Sequence, residues 1–210
     1  MLRKKLVKKA VSQIGQKEPK GDDKYIQWYN KIAHTSFSLS TPWCAIFVSW
    51  CADACKLGEY IPPFASCSRM VSYFKSKGQF QSRRLRTCPE PGDVIFYDWD
   101  EESGNGADHV GIVEKNNGGL LTVVEGNYSD SVKRRVINRS DVRISGYGVP
   151  DFPTGDVNGD GKTDAVDAHE VLKTAVGKSK KATLKNSDMN GDGRIDAADA
   201  MEILKGAVEK

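Results

Sequence analysis

Near the C-terminus a 24-residue stretch is written twice, as GDVNGDGKTDAVDAHEVLKTAVGK (155–178) and SDMNGDGRIDAADAMEILKGAVEK (187–210), with 15 of the 24 aligned positions identical. Each copy carries Asp, Asn and Asp at loop positions 1, 3 and 5, Gly at 6, Asp at 9 and Asp at 12. Side-chain oxygens at that spacing, with a glycine where the loop turns sharply, form the donor set of a calcium-binding loop. The first loop would use Asp156, Asn158, Asp160, the Lys162 carbonyl, Asp164 through water, and Asp167. Its repeat would use Asp188, Asn190, Asp192, the Arg194 carbonyl, Asp196 and Asp199. Two structural Ca²⁺ ions are therefore expected.

Position 12 is Asp, one methylene shorter than the Glu of the common EF-hand, so the following helix must come closer to the ion. Pro150, Pro153 and Gly155 stand where a helix would precede the first loop, and only Ala182–Ser187 precedes the second. This loop-then-helix unit, repeated with an offset of 32 between Asp156 and Asp188, resembles a type I dockerin over about 57 residues. The resemblance implies a small all-α module at 154–210, with a cohesin module of a scaffoldin as partner. It further implies that Ala165 and Val166, Leu172 and Lys173, and their repeats Ala197, Ala198, Leu204 and Lys205 form the contact. Because these are nearly the same in both copies, either helix is expected to present to the cohesin after a half-turn of the module.

At 210 residues the chain has room for one ordinary domain beside this small one. Residues 1–153 hold 22 Lys+Arg against 17 Asp+Glu, and residues 154–210 hold 9 against 11. The basic excess is small and spread out, which fits a solvated face or weak attraction to anionic surfaces such as cell walls, and nothing suggests a nucleic-acid partner. No run of 18 apolar residues occurs, so no membrane-spanning helix is expected. MLRKKLVKKAVSQIG lacks the apolar stretch of a signal peptide. Since a dockerin implies export, the expectation is a secreted, cellulosome-bound protein whose leader has been cut away, with Met1 a start codon added for expression. The five cysteines, Cys44, Cys51, Cys55, Cys67 and Cys88, are an odd number without a paired framework, which argues against a disulfide scaffold and fits an anaerobe's free thiols.

Upstream of the repeats, Leu2, Leu6, Ala10, Val11 and Ile14 predict an amphipathic helix ending near Gly15. A polar loop with Pro19, Gly21, Asp22 and Asp23 follows, then an aromatic segment with Tyr25, Trp28 and Tyr29. Pro42 ahead and Gly58 behind bracket a helix over about 43–57, with Cys44, Phe47, Val48, Cys51 and Cys55 on one buried face. Trp43 and Trp50 could line a cleft, Trp50 being equally suited to the core. A short helix is expected at 68–77. The period then changes, and DVIFYDW (93–99), HVGIVEK (109–115), LLTVVEGNY (120–128) and a run ending at Asn138 read as consecutive antiparallel strands. Helices in front of a meander make an α+β domain.

A thiol at a helix N-terminus has its pKa drawn below ~8.5 by unpaired amides and the helix dipole, and Cys44 stands at such a position. Cys51 and Cys55 lie further along the helix and suit the core, while Cys67 and Cys88 fall in loops with no base evident. Of three histidines, His169 lies in the repeat and His34 in a loop, whereas His109 heads a strand behind the glycine-rich ESGNGAD. Strand alternation sets His109, Gly111 and Val113 on one face, with Gly111 leaving room for the cysteine helix, and puts Glu125 and Asn127 together on the next strand. A nucleophile, a base and an orienting group thus have candidates.

WCAIFVSWC (43–51), PGDVIFYDW (91–99), ADHVGIVE (107–114) and VEGN (124–127) resemble, in that order, the CHAP family of cysteine- and histidine-dependent amidohydrolases/peptidases of the papain-like superfamily. The resemblance covers nearly all of 1–152 and implies a papain-like CHAP domain there. Cys44 would be the nucleophile, His109 the general base, and Glu125 and Asn127 the third and fourth site positions, with no cofactor for catalysis. The Cys44 amide and one of Tyr25, Gln27 or Tyr29 would hold the oxyanion. Peptidoglycan is the implied substrate, cut at muramoyl-alanine or within the peptide stem or bridge. A peptidase or amidase acting on protein or plant cell-wall material in a polysaccharide-degrading complex, and a non-catalytic docking or wall-binding protein, are the alternatives.

Overall fold

The computed structural model describes residues 2–17, 24–38, 40–99 and 107–208. The expected polar loop at 19–23 and most of ESGNGAD lie outside the described residues. The chain divides into two compact units, Leu6–Pro150 and Met1–Lys5 with Asp151–Lys210.

The larger unit holds helices α1 (Leu2–Val11, which starts before it), α2 (Lys24–Ala33), α3 (Cys44–Asp53) and α4 (Cys67–Ser76). Its strands are β1 (Phe80–Ser82), β2 (Val94–Tyr97), β3 (His109–Asn117), β4 (Leu120–Glu125), β5 (Lys133–Asn138) and β6 (Ile144–Gly148). They form one antiparallel sheet in the order β1-β6-β2-β3-β4-β5. The expected meander is β2 to β5. β6 joins it on the far side of β2, and β1 adds to β6. Both were missed because ISGYG and FQS are short and broken by small or polar residues, which gives no run of alternating apolar side chains.

The aromatic segment is helical in α2, where Tyr25 and Ile26 are buried. Its signal was concealed by polar residues between the rings. α3 is buried nearly all round rather than on one face, from Cys44 through Ser49 and at Cys51 and Ala52. It also ends a turn earlier than expected. Lys56 takes the left-handed conformation (φ 60°), Lys56 N–H donates to Asp53 O, and Leu57 N–H donates back to Ala52 O at 2.8 Å, closing the helix before Gly58 is reached.

Two glycines decide how closely helices meet the sheet. A Cβ on Gly126 would lie 2.4 Å from Phe47 Cβ of α3, and one on Gly148 would lie 2.4 Å from Phe74 of α4. The space above Gly111, expected to admit the cysteine helix, is filled instead by Glu125 and Val123 of the adjacent strand, each 2.7 Å from where a Cβ would stand. The helix's close approach is therefore at Gly126, one residue past β4.

The smaller unit contains α5 (Ala165–Ala175), the four-residue α6 (Leu184–Ser187) and α7 (Ala197–Val208). Val157, Ala168 and Val171 of the first copy meet Met189, Ala200 and Ile203 at equivalent positions of the second, with Ala182 between them. A core of so few small side chains supplies about 2 kcal/mol for each buried Val or Ile, modest against the entropy of ordering the segment.

Candidate active site

Cys44 is the first residue of α3. Trp43 before it makes no side-chain cap, so the thiol occupies the helix end where amides are unpaired. Trp43 itself is 1% exposed and stacks on Tyr25 with ring centroids 5.1 Å apart, so it belongs to the core and lines no cleft. Trp50 is half-buried and edge-on to the same Tyr25 ring.

His109 opens β3. Its cross-strand relation to Glu125 follows from the register: Gly111 pairs with Glu125, so His109, two residues away, is the diagonal neighbour on the same face. Nε2 of His109 lies 3.4 Å from Glu125 Oε2. That nitrogen is buried without a hydrogen bond of good geometry, so the contact is a charge pairing that leaves room to tighten. Burial opposes the imidazolium, but contact with Cys44 and then with Glu125 outweighs it, raising His109 to about 9.

Glu125 is fully buried. Burial by itself favours its neutral form, yet the pull of His109 and Arg135 prevails and holds the carboxyl below the usual range. Arg135 donates from NH2 to Oε1 at 2.8 Å and from Nε to both carboxylate oxygens at 3.1 Å. Its guanidinium lies 4.5 Å from the Tyr97 ring centroid and 5.3 Å from those of Trp99 and Tyr128. The same three rings flank His109 at 5.9, 5.9 and 6.3 Å. Arg135 carries no signal of this contact in the sequence, where β5 reads as a basic strand; only the pairing of Val123 with Arg135 reveals that it shares a face with the buried site.

Asn127 does not share a strand with Glu125. β4 stops at Glu125, Asn127 has φ 56° in the turn beyond, and no hydrogen bond among the described residues brings it to the imidazole. Of the three candidates for a second oxyanion donor, Tyr25 is buried with its hydroxyl 3.4 Å from Gln13 Oε1, and Tyr29 stacks on Phe37.

The larger surprise is Cys67. It is the first residue of α4, not part of a loop, and its sulfur lies 3.5 Å from Cys44 Sγ. The Cys67 thiol is the strongest influence on Cys44; burial works against the anion, and His109 and the Ala45 amide reinforce it, so Cys44 is held below its ordinary 9.0. The hydrogen bond to Cys44 and burial push Cys67 the other way. Cys51, expected in the core, is fully buried, and burial drives its thiol upward. Of the two remaining histidines, His34 follows α2 with φ 51°, and His169 is exposed on α5 of the smaller unit.

In the smaller unit the two loops are built alike. Asp156 accepts from the amides of Gly159, Asp160 and Gly161, and Asp188 from those of Gly191, Asp192 and Gly193. Asp167 and Asp199, both fully buried, accept from the second and ninth residues of their loops. Among the described residues no group of three or more His, Cys, Asp and Glu side chains converges as a metal cluster. The donor set nevertheless fits a hard cation. No loop carboxylate is paired with Lys or Arg among the described residues, Asn and main-chain carbonyls complete the set, and burial with the charge of Asp188 raises Asp199. Ala165, Val166, Leu172, Ala197, Ala198, Leu204 and Lys205 are exposed, while Lys173 is half-buried and paired with Glu170.

No helix among the described residues is long and apolar enough to cross a membrane. Among curated proteins none matches the chain. A solved structure described as "The crystal structure of Ly7917" is similar at 18% identity and a TM-score of 0.43; the match covers 70% of this chain and 62% of that one. Family models match the CHAP domain at residues 36–127 and the dockerin type I domain at residues 154–206. With the cysteine, histidine and glutamate of the site falling inside the first match and both acidic loops inside the second, the chain carries a CHAP domain at 36–127, of amidase/peptidase type, followed by a type I dockerin domain at 154–206.

Proposed function

We propose that the protein is a secreted cysteine hydrolase that cleaves amide bonds of peptidoglycan while its dockerin tethers it to a scaffoldin cohesin. The observation that carries this reading is the meeting of a helix-terminal thiol with an imidazole that is itself backed by a buried, arginine-held carboxylate. Cys44 as thiolate attacks the carbonyl carbon, and the oxyanion forms beside the open end of α3. The His109 imidazolium gives its proton to the leaving amine. The neutral imidazole then takes a proton from water, whose oxygen attacks the thioester and frees Cys44. Glu125 holds the ring and favours its charged form, and Arg135 fixes Glu125. Asn127 would act only if its turn moves toward the ring.

The dockerin residues Asp156, Asn158, Asp160, Asp164 and Asp167, with the Lys162 carbonyl, would hold one Ca²⁺; Asp188, Asn190, Asp192, Asp196 and Asp199, with the Arg194 carbonyl, would hold a second. The ions would neutralise the loop carboxylates and fix each loop to its helix. Ala165, Val166, Leu172 and Lys173, or the equivalent Ala197, Ala198, Leu204 and Lys205, would then meet the cohesin.

The test is digestion of purified sacculi, with new termini identified by mass spectrometry. Cleavage by the parent and none by Cys44→Ala is expected; sacculi left unchanged by both would remove peptidoglycan as the substrate. For docking, replacing Leu204 and Lys205 by Asp is expected to weaken cohesin binding only about twofold, the statistical cost of losing one of two equivalent modes. Abolition of binding would rule out two-way presentation.

A further inference from the structure

Cys67 forms no bond to substrate in the hydrolysis just described, acting there only through its contact with Cys44, yet its position is firmly set. Ser49 of α3 accepts from Phe64 N–H at 2.9 Å and donates to Ala45 O, tying the segment that leads into α4 to the helix that begins with Cys44. On the other side, Ser68 donates to Ala107 O at 3.4 Å, joining the first turn of α4 to the approach to His109. Two helices therefore start side by side, each with a cysteine as its first residue, and the sulfurs are 3.5 Å apart. The other three cysteines are elsewhere: Cys51 and Cys55 are deep in the core, and Cys88 is exposed.

We infer that Cys67 is a resolving thiol: when a peroxide oxidises Cys44, Cys67 captures it in a Cys44–Cys67 disulfide that blocks the nucleophile until a thiol reductant reopens it. A disulfide needs the sulfurs at about 2.05 Å, so they must close by about 1.5 Å, the scale of a side-chain rotation. Cys44 sulfur first attacks one peroxide oxygen; the O–O bond breaks, Cys44 becomes a sulfenic acid, and the other oxygen leaves as water. Cys67 sulfur then attacks Cys44 sulfur. The S–S bond forms, the S–O bond breaks, and the departing hydroxide takes the Cys67 proton as a second water. Two thiols are oxidised and one peroxide is reduced. Because Cys67 keeps its proton while Cys44 is drawn toward the thiolate, the roles are asymmetric, with Cys44 attacked first. Reopening proceeds by attack of an external thiolate on the disulfide.

The consequence for hydrolysis rests on Cys44 being the nucleophile; the disulfide itself does not. The experiment treats the full-length Cys88→Ser protein and its Cys67→Ser derivative with a several-fold molar excess of hydrogen peroxide, enough to carry an unprotected sulfenic acid on to the sulfinic acid, blocks remaining thiols, and maps linked peptides by mass spectrometry. A Cys44–Cys67 peptide, two hydrogens lighter than the pair of reduced peptides, is expected without Cys67→Ser. In the Cys67→Ser derivative Cys44 is expected as sulfinic acid, and dithiothreitol is expected to restore hydrolysis of sacculi only when Cys67 is present. Cys44 carried to sulfinic acid with no linked peptide while Cys67 is intact overturns the inference, as does a protein whose Cys44 and Cys67 both stay reduced. A linked peptide in a protein that never cleaves sacculi supports the resolving role and counts against the proposed function alone.

Discussion

At the scale of single residues the site is an electrostatic chain: the Cys67 thiol on Cys44, Cys44 against His109, His109 against Glu125, and Glu125 clamped by Arg135. The signs fix a pH window. On the proposed mechanism the competent state is Cys44 thiolate with His109 imidazolium. It is gained as pH rises through the lowered thiol pKa, below 9.0, and lost as pH rises through the imidazolium pKa of about 9. A bell-shaped kcat/KM profile is expected, its two limbs belonging to the coupled pair. Glu125→Gln keeps the shape and removes the anion that supports the imidazolium. The basic limb should move to lower pH, and kcat/KM should fall roughly 10²-fold or more, as for loss of the carboxylate in a serine triad. Steady-state kinetics across pH on a soluble peptide fragment of the wall measures both, and an unmoved basic limb would deny Glu125 its part.

Among the elements, the contacts that put Cys44 beside β3 run through a glycine just past the end of β4. With a Cβ at Gly126 only 2.4 Å from Phe47, Gly126→Ala must push α3 away from the sheet, since Phe47 is fully buried and cannot swing out. Overpacking of this kind costs about 1–3 kcal/mol. The expected result is a lower denaturant midpoint at unchanged m-value, with hydrolysis falling more than stability does because the helix end carries the thiol. The same region shows what was legible in the residues. Cys44, His109 and Glu125 could be read because each belongs to a local pattern: a proline-led helix start, a strand head, a period of two. Cys67 and Arg135 could not, since the link between Cys67 and Cys44 depends on how two helices start against each other and that between Arg135 and Glu125 on how strands far apart in sequence pair. That the helix meets the sheet at Gly126 and not at Gly111 has a related reason. Alternation assigns a face to each residue, but which neighbour fills the space is a tertiary fact.

On the scale of the whole molecule, two compact units with cores of different size share one chain. Residues 6–150 are held by a six-stranded sheet with a large aromatic and aliphatic core. The core of the smaller unit comprises Val157, Ala168, Val171, Ala182, Met189, Ala200 and Ile203, and each of its two loops carries four aspartates, Asp156, Asp160, Asp164 and Asp167 in the first, with no basic partners among the described residues. Asp167 and Asp199 are buried, and without a cation each loop adds like-charge repulsion to a core that is small to begin with. Calcium bound only by the folded form adds RT ln(1 + [L]/Kd), about 4 kcal/mol at a thousandfold excess over Kd. Heating in calcium and in excess chelator, followed by far-ultraviolet circular dichroism, should therefore show helical signal lost at a much lower temperature with chelator. The sheet transition, followed by tryptophan fluorescence, should stay within a few degrees, since Trp28, Trp43, Trp50 and Trp99 all lie in the larger unit. Hydrolysis should survive chelation while cohesin binding is lost, and loss of both together would mean that the larger unit depends on the metal too.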